Sequence, residues 1–241
     1  MRDEKLRMYY LNKIVNKCQS LYFKGKLLIN NILGLPAQTA KEIEIFKIIL
    51  DHIKNDNKLN IFEWGSGHST VYYSNYLRQK GVTFEWHSID NNKTWHEKIK
   101  VLVKEKKLDS HVCLYLKEFE PFWRKPDWGP IPPACELFSP KSQNEMAYID
   151  FPRQLDSRFD VVIIDARFRR HCIQTTKEVL LPEGIAILHD AQKTHYHVGL
   201  DDFRYRNFLN SGSWYPFQKT PNRVWIGSTG NSSIFERLKR F

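Results

Sequence analysis

The chain has 241 residues, of which 41% are hydrophobic, so it is long enough to bury a sizeable core in one domain with an appendage. Its scattered cysteines, Cys18, Cys113, Cys135 and Cys172, form no Cys-x-x-Cys pair, which argues against a zinc knuckle or a disulfide framework and predicts a reducing, cytoplasmic location. The formal net charge of +10 suits an acidic partner, but the Lys and Arg residues are spread along the chain, which is typical of a solvated surface.

Residues 1–34 have the pattern of a basic amphipathic helical extension, with apolar residues near helical spacing and Lys or Arg between them. Charge interrupts the extension too often for a bilayer span, and no signal-peptide core is present. Three interpretations are open. The helix packs on the main domain, it pairs with a second copy in a homodimer, or it makes a peripheral contact with an anionic membrane.

Residues 37–54 predict a helix that leads into the most informative stretch, residues 60–70. There an apolar run ends at Glu63 and is followed by Gly65, Gly67 and small hydroxyl residues. This order predicts a strand, a tight turn and a helix, because glycine permits positive φ and close approach of a ligand to the backbone. The alternative is a glycine-rich turn with a purely structural role.

Glu63 indicates which ligand such a turn would take. Two like charges about 4 Å apart repel by about 4 kcal/mol at an effective dielectric near 20, whereas a helix N-terminus stabilises an anion by only ~0.3–2 kcal/mol. A pyrophosphate is therefore disfavoured, and a ligand with an ammonium and a sulfonium is favoured. The pattern Glu63-x-Gly65-x-Gly67 resembles motif I of the class I S-adenosylmethionine-dependent methyltransferases.

From residue 61 onward the chain alternates between strands and helices. Strands are predicted at 82–89, 111–116, 159–164 and 185–188. Helices are predicted at 91–107 and 143–155, and a further helix follows the strand at 159–164 and runs to residue 180. The segment 159–190, with its strand-Asp, helix, Leu-Pro-x-Gly and strand-His-Asp, also resembles these methyltransferases. A helix at 201–209 and antiparallel strands at 213–217 and 223–227 complete the predicted fold.

The resemblance implies a doubly wound, mostly parallel seven-stranded α/β sheet with a C-terminal antiparallel hairpin, over residues 35–241. A Pro/Trp-rich insertion at 121–140 lies outside it, and neither a helix nor a central strand can run through so many prolines. The insertion is either a substrate lid or a rigid surface loop.

The same resemblance implies S-adenosyl-L-methionine as cofactor. Asp90, at the end of the second strand, is suited to accept hydrogen bonds from ribose hydroxyls, or else it caps the next helix. Trp95 is either a core residue or lies over the adenine, and Glu118 is a candidate adenine contact. The residues predicted to bind the cofactor are Glu63, Gly65, Ser66, Gly67, Asp90 and Asn91.

The predicted reaction is methyl transfer to an oxygen or nitrogen of a small-molecule acceptor. Asp165, His189 and Asp190 follow two neighbouring strands and are the candidate catalytic residues. His189 is the candidate base because its ordinary pKa lies near neutrality, and the alternative is a histidine that orients Asp190. Arg167 is either a contact for an anionic acceptor or an exposed residue at a helix start.

Three other functions are open. A metal-dependent O-methyltransferase would use Asp165 and Asp190 as Mg²⁺ ligands, with His195 or His197 in support, but Ala191 stands where the resemblance calls for Asn, so we predict no metal site. A nucleic-acid methyltransferase would suit the positive charge, yet the sequence has no base-flipping motif of the Asn/Asp-Pro-Pro-Tyr/Phe type, so nucleic acid is not the expected partner. The third is a catalytically silent binding or membrane-docking protein.

Overall fold

The computed structural model describes residues 18, 21–22, 24–26, 28–53, 58–119, 142–213, 220–230 and 233–241. The predicted insertion at 121–140 and residues 1–17 of the predicted extension lie outside the described residues. Among the described residues, no helix is long and apolar enough to cross a membrane.

A seven-stranded sheet with the order β3-β2-β1-β4-β5-β7-β6 forms the centre of the domain. Its strands are β1 (Leu59–Trp64), β2 (Phe84–Asp90), β3 (Val112–Leu116), β4 (Phe159–Ile164), β5 (Leu180–Leu188), β6 (Tyr205–Gly212) and β7 (Asn222–Ser228). Strands β1 to β5 pair in parallel, and β7 runs antiparallel to both β5 and β6. The prediction of a mostly parallel, doubly wound sheet with an antiparallel C-terminal pair is therefore confirmed.

Helices cover both faces of this sheet. They are α1 (Ala40–Ile53), α2 (His68–Gln79), α3 (Lys93–Glu105), α4 (Gln143–Ile149), α5 (Arg169–Val179) and the short α6 (Ile234–Arg237). Side chains of α1, α2 and α3 pack in one hydrophobic cluster, and those of α4 and α5 pack in the other. The described residues between 18 and 32 are helical as well, and we call this segment the N-terminal helix.

Strand β4 shows why the sheet needs two helical layers. Val161 and Ile163 belong to the cluster under α1 to α3, whereas Val162 and Ile164 belong to the cluster under α4 and α5. Successive side chains of a strand point to opposite faces, so an unbroken apolar run is buried only if both faces are covered. Each such side chain contributes roughly 1.5–3 kcal/mol relative to an exposed one.

The C-terminal part differs from the sequence prediction. The helix predicted at 201–209 is wrong, because a short 3₁₀ turn at Leu200–Asp202 is followed by strand β6. β6 is the last strand of the sheet and mostly exposed, so its residues have no clear alternation, and its pairing with β7 determines its conformation. The predicted strand at 213–217 is displaced accordingly, and residues 214–219 lie outside the described residues.

Two smaller corrections involve proline. The helix predicted at 143–155 ends as α4 at Ile149 and continues as a 3₁₀ turn at Phe151–Gln154, where Pro152 lacks the N–H that a longer helix would need. The turn predicted at 182–184 lies inside β5, where the register with β4 shifts between Phe159 and Val161. Proline is tolerated in a strand at such an irregularity.

Candidate functional site

The candidate site is a cleft at the carboxyl ends of β1, β2 and β4. The chain leaves β1 toward β2 on one side, whereas β4 pairs on the other side, and ligands bind open α/β sheets at such switch points. The cleft has a volume of about 580 Å³. Its lining comprises Asn31, Ala37, Gly65, Ser66, Gly67, His68, Ser69, Asp90, Asn91, Asn92, Trp95, Tyr148, Asp165, Ala166, Arg167 and Arg169.

Gly65 is required by the close meeting of β1 and β4. Its φ is +97°, a conformation that residues with a side chain rarely adopt, and its N–H donates to the carbonyl of Ile89 over 2.8 Å. A Cβ at this position would overlap the backbone carbonyl of Asp165. The turn therefore brings bare backbone of Gly65 to the floor of the cleft.

Glu63 lies beneath this turn and is completely buried. Its carboxylate accepts hydrogen bonds from Ser69 Oγ (2.7 Å), Thr70 Oγ1, Trp86 Nε1 (3.0 Å) and Ser88 Oγ (2.9 Å). Burial raises the pKa of Glu63 to about 7, although the four donors favour its ionised form. Glu63 is not among the cleft-lining residues, so the structure gives it a role in shaping the turn.

Thr70 connects Glu63 to Gly67, the second glycine of the turn. Its Oγ1 donates to Glu63 and accepts from the N–H of Gly67 over 2.9 Å, at the first turn of α2. Gly67 has an extended backbone with φ of −165°, which any residue adopts. The acid at the end of β1 thus holds the start of α2 in place through one hydroxyl group.

Asp90 lies on the opposite wall, at the end of β2. Its Oδ1 accepts from the N–H of Asn92 over 2.7 Å, while Asn92 itself caps α3 by accepting from the N–H of Trp95. Burial raises the pKa of Asp90 to about 6, against the opposing influence of the nearby backbone N–H groups and of Arg167. The alternative that Asp90 is the cap of this helix is therefore wrong, and its carboxylate remains next to the cleft.

The predicted neighbours of Asp90 are also brought to the cleft. Asn91 donates from Nδ2 to the carbonyl of Phe119 over 2.9 Å. The hydroxyls of Ser66 and Ser88 share a hydrogen bond of 2.9 Å, and the carbonyl of Ser66 accepts from Trp95 Nε1 over 2.6 Å. Trp95 therefore lines the cleft and at the same time fixes the Gly65–Gly67 turn.

His68 is a cleft residue that sequence reasoning missed. It begins α2 and is 8% exposed, and within the described part of the chain its Nε2 has no hydrogen-bond partner. Burial and then Lys98 lower the pKa of His68, so its ring is neutral near pH 7. Its position directly after Gly67 was the available signal, since a residue at that helix start faces the turn's ligand.

Arg169 is the second missed residue, and it organises the acids that follow β4 and β5. It donates from Nη2 to Asp165 Oδ1 over 2.7 Å and from Nη1 to the carbonyl of His189 over 2.7 Å. The same Nη1 lies 3.4 Å from Asp190 Oδ2, and the guanidinium stands 4.9 Å from the ring centre of Tyr196. The signal was its place four residues after Asp165, which is one helical turn away.

Asp165 is the only predicted catalytic residue that lines the cleft. Burial alone would raise its pKa, but His189 and Arg169 beside it lower the pKa below its ordinary value. Asp190 instead pairs with Lys193 over 2.6 Å and with Arg169, and it has a φ of 59°. Burial alone would raise the pKa of Asp190, but His189 and Arg169 lower it below its ordinary value.

His189 is enclosed between two carboxylates and does not line the cleft. Its Nδ1 lies 3.0 Å from Asp165 Oδ1, and its Nε2 lies 3.4 Å from Oε1 of the fully buried Glu42. Burial would lower its pKa, but Asp165 and Glu42 together raise the pKa of His189 well above its ordinary value. A protonated ring has no lone pair for a substrate proton, so this geometry favours an orienting histidine over the predicted base, and it orients Asp165 rather than Asp190.

The same acids do not form the Mg²⁺ site of the metal-dependent alternative. The guanidinium of Arg169 lies between Asp165 and Asp190, where a cation bound by both would have to lie. His197 donates from Nε2 to the carbonyl of Ala191 over 2.8 Å, and the ring of His195 meets the ring of Tyr196 edge to face. In the described ranges, no group of three or more His, Cys, Asp or Glu side chains is arranged to hold a metal ion.

Neither known family models nor curated proteins match this sequence. Solved structures do match the fold. The O-methyltransferase TomG from Streptomyces achromogenes, involved in tomaymycin synthesis and solved in complex with SAM, is 11% identical, with a TM-score of 0.54 over 87% of this chain and 90% of that one. The O-methyltransferase from Bacillus cereus, solved with SAH, is also 11% identical, with a TM-score of 0.54 over 86% and 90%.

These similarities cover 86–87% of this chain. At such low identity they establish the architecture and not the activity. The strand order, the antiparallel C-terminal pair and the two matches agree on one architecture. The chain therefore has the fold of the class I S-adenosylmethionine-dependent methyltransferases.

Proposed function

We propose that the protein is a methyltransferase that uses S-adenosyl-L-methionine to methylate an oxygen or nitrogen of a small-molecule acceptor. The observation that carries the proposal is the arrangement around the cleft. The bare backbone of Gly65, the carboxylate of Asp90 and the acid Asp165 come from three neighbouring strand ends and face one cavity.

These residues fit the cofactor. The backbone of Gly65 lines the cleft, where a side chain would collide with the Asp165 carbonyl, and Asp90 offers a carboxylate to the ribose hydroxyls from the end of β2. Trp95 lines the same cleft as Asp90 and provides an apolar ring surface there. When bound, the cofactor supplies an electrophilic sulfonium methyl group.

The residues of this chain then have to hold the acceptor in line with that methyl group. Asp165 presents a carboxylate to the cleft, and Arg169 and His189 keep it ionised and immobile. Arg167 also lines the cleft and suits an acceptor with an anionic group. Orientation by such fixed groups is a major source of rate in bimolecular transfer. The two matched structures are O-methyltransferases, which supports oxygen as the acceptor atom.

Isothermal titration calorimetry tests the proposal directly. We expect S-adenosylmethionine and its demethylated product to bind, and NAD to give negligible heat, because Thr70, which bonds to Glu63, stands where the dinucleotide-binding spacing Gly-x-Gly-x-x-Gly has its third glycine. Tight binding of NAD without binding of S-adenosylmethionine would contradict the proposal. Binding of the cofactor without methyl transfer to any acceptor of a small-molecule panel would instead favour the catalytically silent alternative.

A further inference from the structure

The N-terminal helix exposes most of its large apolar side chains. Leu21 and Leu28 are each 61% exposed, Ile32 is 75% exposed and Leu33 is 64% exposed. Tyr22 and Ile29 are also among the exposed large hydrophobic residues. Single exposed apolar residues are common on proteins, but a group of six along this helix and the turn at Leu33 that ends it marks an interaction surface.

These residues form one stripe, which we call the apolar stripe (Leu21, Tyr22, Leu28, Ile29, Ile32 and Leu33). At about 100° per residue, positions 21, 28 and 32 fall within roughly 40° of one another, and the other three follow along one side. On the far side of the helix, Asn30 is 8% exposed and donates to the carbonyl of Pro36 over 2.9 Å. Asn30 therefore holds the helix to the segment that follows it, and the apolar stripe lies on the other side, exposed.

The charges beside the stripe have one sign. Lys24 and Lys26 lie on its two sides by the same helical geometry. From residue 5 to residue 41 the sequence contains Lys5, Arg7, Lys13, Lys17, Lys24, Lys26 and Lys41, and no Asp or Glu. An apolar face bordered by Lys is the composition of a helix that lies in the interface of an anionic membrane.

We propose that the N-terminal helix docks on an anionic lipid surface through the apolar stripe, with Lys24 and Lys26 at the headgroup level. A second copy of the chain suits this surface less well. In a two-fold symmetric pair, each helix would face another helix with the same positive charges and without acidic residues, and the chain as a whole carries a net charge of +10.

Docking of this kind would also position the cleft. Asn31 follows Asn30 on the same helix and lines the cleft wall together with Ala37. A helix that lies on lipid would therefore hold one wall of the cleft close to the membrane surface. The docking itself is measured by binding alone, so its failure would leave the proposed methyltransferase activity untouched.

The experiment is co-sedimentation of the full chain with vesicles. We expect binding to vesicles of equal parts phosphatidylcholine and phosphatidylglycerol, little binding to pure phosphatidylcholine, and release by high salt. Leu28→Glu with Ile32→Glu should lower the partition coefficient on the order of 100-fold, because the substitutions remove two inserted side chains. Lys24→Gln with Lys26→Gln should lower it about 30-fold, at roughly fivefold for each lysine near the surface.

Two matched variants separate docking from general effects. Val101 is 55% exposed on α3, so Val101→Glu is the apolar control. Lys100→Gln with Lys104→Gln, also exposed on α3, is the charge control. Both should bind vesicles like the unmodified chain, and all variants should bind S-adenosylmethionine equally. Binding that ignores lipid charge, equal loss in the α3 controls, or a stable dimer that Leu28→Glu dissociates would overturn the proposal.

Discussion

Arg169 is the residue on which the charges behind the cleft depend. It is 8% exposed and connects Asp165, Asp190 and the carbonyl of His189. A buried ion pair is often no more stable than a hydrophobic replacement of both partners, but removal of one partner leaves an uncompensated charge. Arg169 therefore has a larger effect on stability than its surface counterparts.

Replacement of Arg169 tests this conclusion. Arg169→Met should lower the free energy of unfolding by roughly 3–5 kcal/mol, because Asp165 and Asp190 lose the cation between them. Urea denaturation provides the measurement. The control is Arg153→Met, since Arg153 pairs with Asp150 and Glu178 at the surface, where ion pairs contribute about 0–1 kcal/mol. Equal effects of the two substitutions would show that the Arg169 cluster is not buried as described.

Asp90 gives a prediction on cofactor binding and pH. Because burial raises the pKa of Asp90 to about 6, the carboxylate becomes protonated below that pH and accepts hydrogen bonds poorly. Affinity for S-adenosylmethionine should fall as the pH drops through about 6, and Asp90→Ala should cost roughly 1–3 kcal/mol of affinity at neutral pH.

The pH dependence identifies the group. In calorimetric titrations the affinity of Asp90→Ala for S-adenosylmethionine should no longer change with pH near 6. Asp109 is an exposed acid beyond α3, so Asp109→Asn should keep both the affinity and the pH profile of the unmodified chain. If Asp90→Ala binds as tightly as the unmodified chain, Asp90 does not contact the ribose.

At the scale of the element, the turn between β1 and α2 contains two glycines that are under different structural constraints. Gly65 has positive φ and no room for a Cβ beside Asp165, whereas at Gly67 the nearest atom to a Cβ would be Ser69 Oγ, 3.6 Å away. The first glycine is needed by the fold itself. The second is compatible with a side chain in the structure described.

The pair can be tested by the same substitution at both positions. Gly65→Ala should destabilise the protein by more than about 2 kcal/mol, because left-handed backbone strain adds to the overlap with the Asp165 carbonyl. Gly67→Ala should leave the free energy of unfolding within about 0.5 kcal/mol and weaken cofactor binding if the backbone of Gly67 faces the ligand. Thermal unfolding and calorimetry separate the two effects, and a fully stable Gly65→Ala variant would disprove the close approach of β1 and β4.

At the scale of the whole molecule, an ion-pair cluster connects helix α1 to the strand ends at the cleft. Its members are Glu42 on α1, His189 after β5 and Asp165 after β4. The pKa of His189 is raised above 6.5 in the folded protein by its two carboxylates, against the effect of burial. Below pH 6.5 both folded and unfolded states hold the proton, so the ion pairs contribute fully. Above it, the unfolded chain loses the proton first, and stability falls as the pH rises toward the folded pKa.

Urea unfolding at increasing pH above about 7 should therefore show a loss that approaches ~1.4 kcal/mol per pH unit from this group until the folded pKa is reached. His189→Asn should be less stable near pH 7 but should have a shallower slope, so the two curves converge as the pH rises. His195→Asn is the control, because burial lowers the pKa of His195 and keeps it neutral over this range. Parallel slopes for the unmodified chain and His189→Asn would show that the ring is neutral in the folded state.

Much of the fold was predictable from local signals. The run 159–164 is apolar except for Asp160 and matches β4 residue for residue, since burial on both faces leaves few polar positions. The Glu63–Gly65–Gly67 turn was equally visible, because glycine at positive φ has few substitutes. The edge strand β6 was not visible, because an exposed strand is determined by its partner β7 rather than by its own residues.

The sequence by itself therefore determined the class of the fold, the ligand edge and the residues Gly65, Asp90 and Asp165 that surround the cleft. Only the tertiary structure decided the state of His189, because its partner Glu42 is far away in the chain and meets it only when α1 packs on the sheet. A pKa depends on the charges within a few ångströms and on burial, and neither can be read from a linear pattern. For the same reason only the folded chain shows Arg169 between two acids and an apolar stripe turned to the outside.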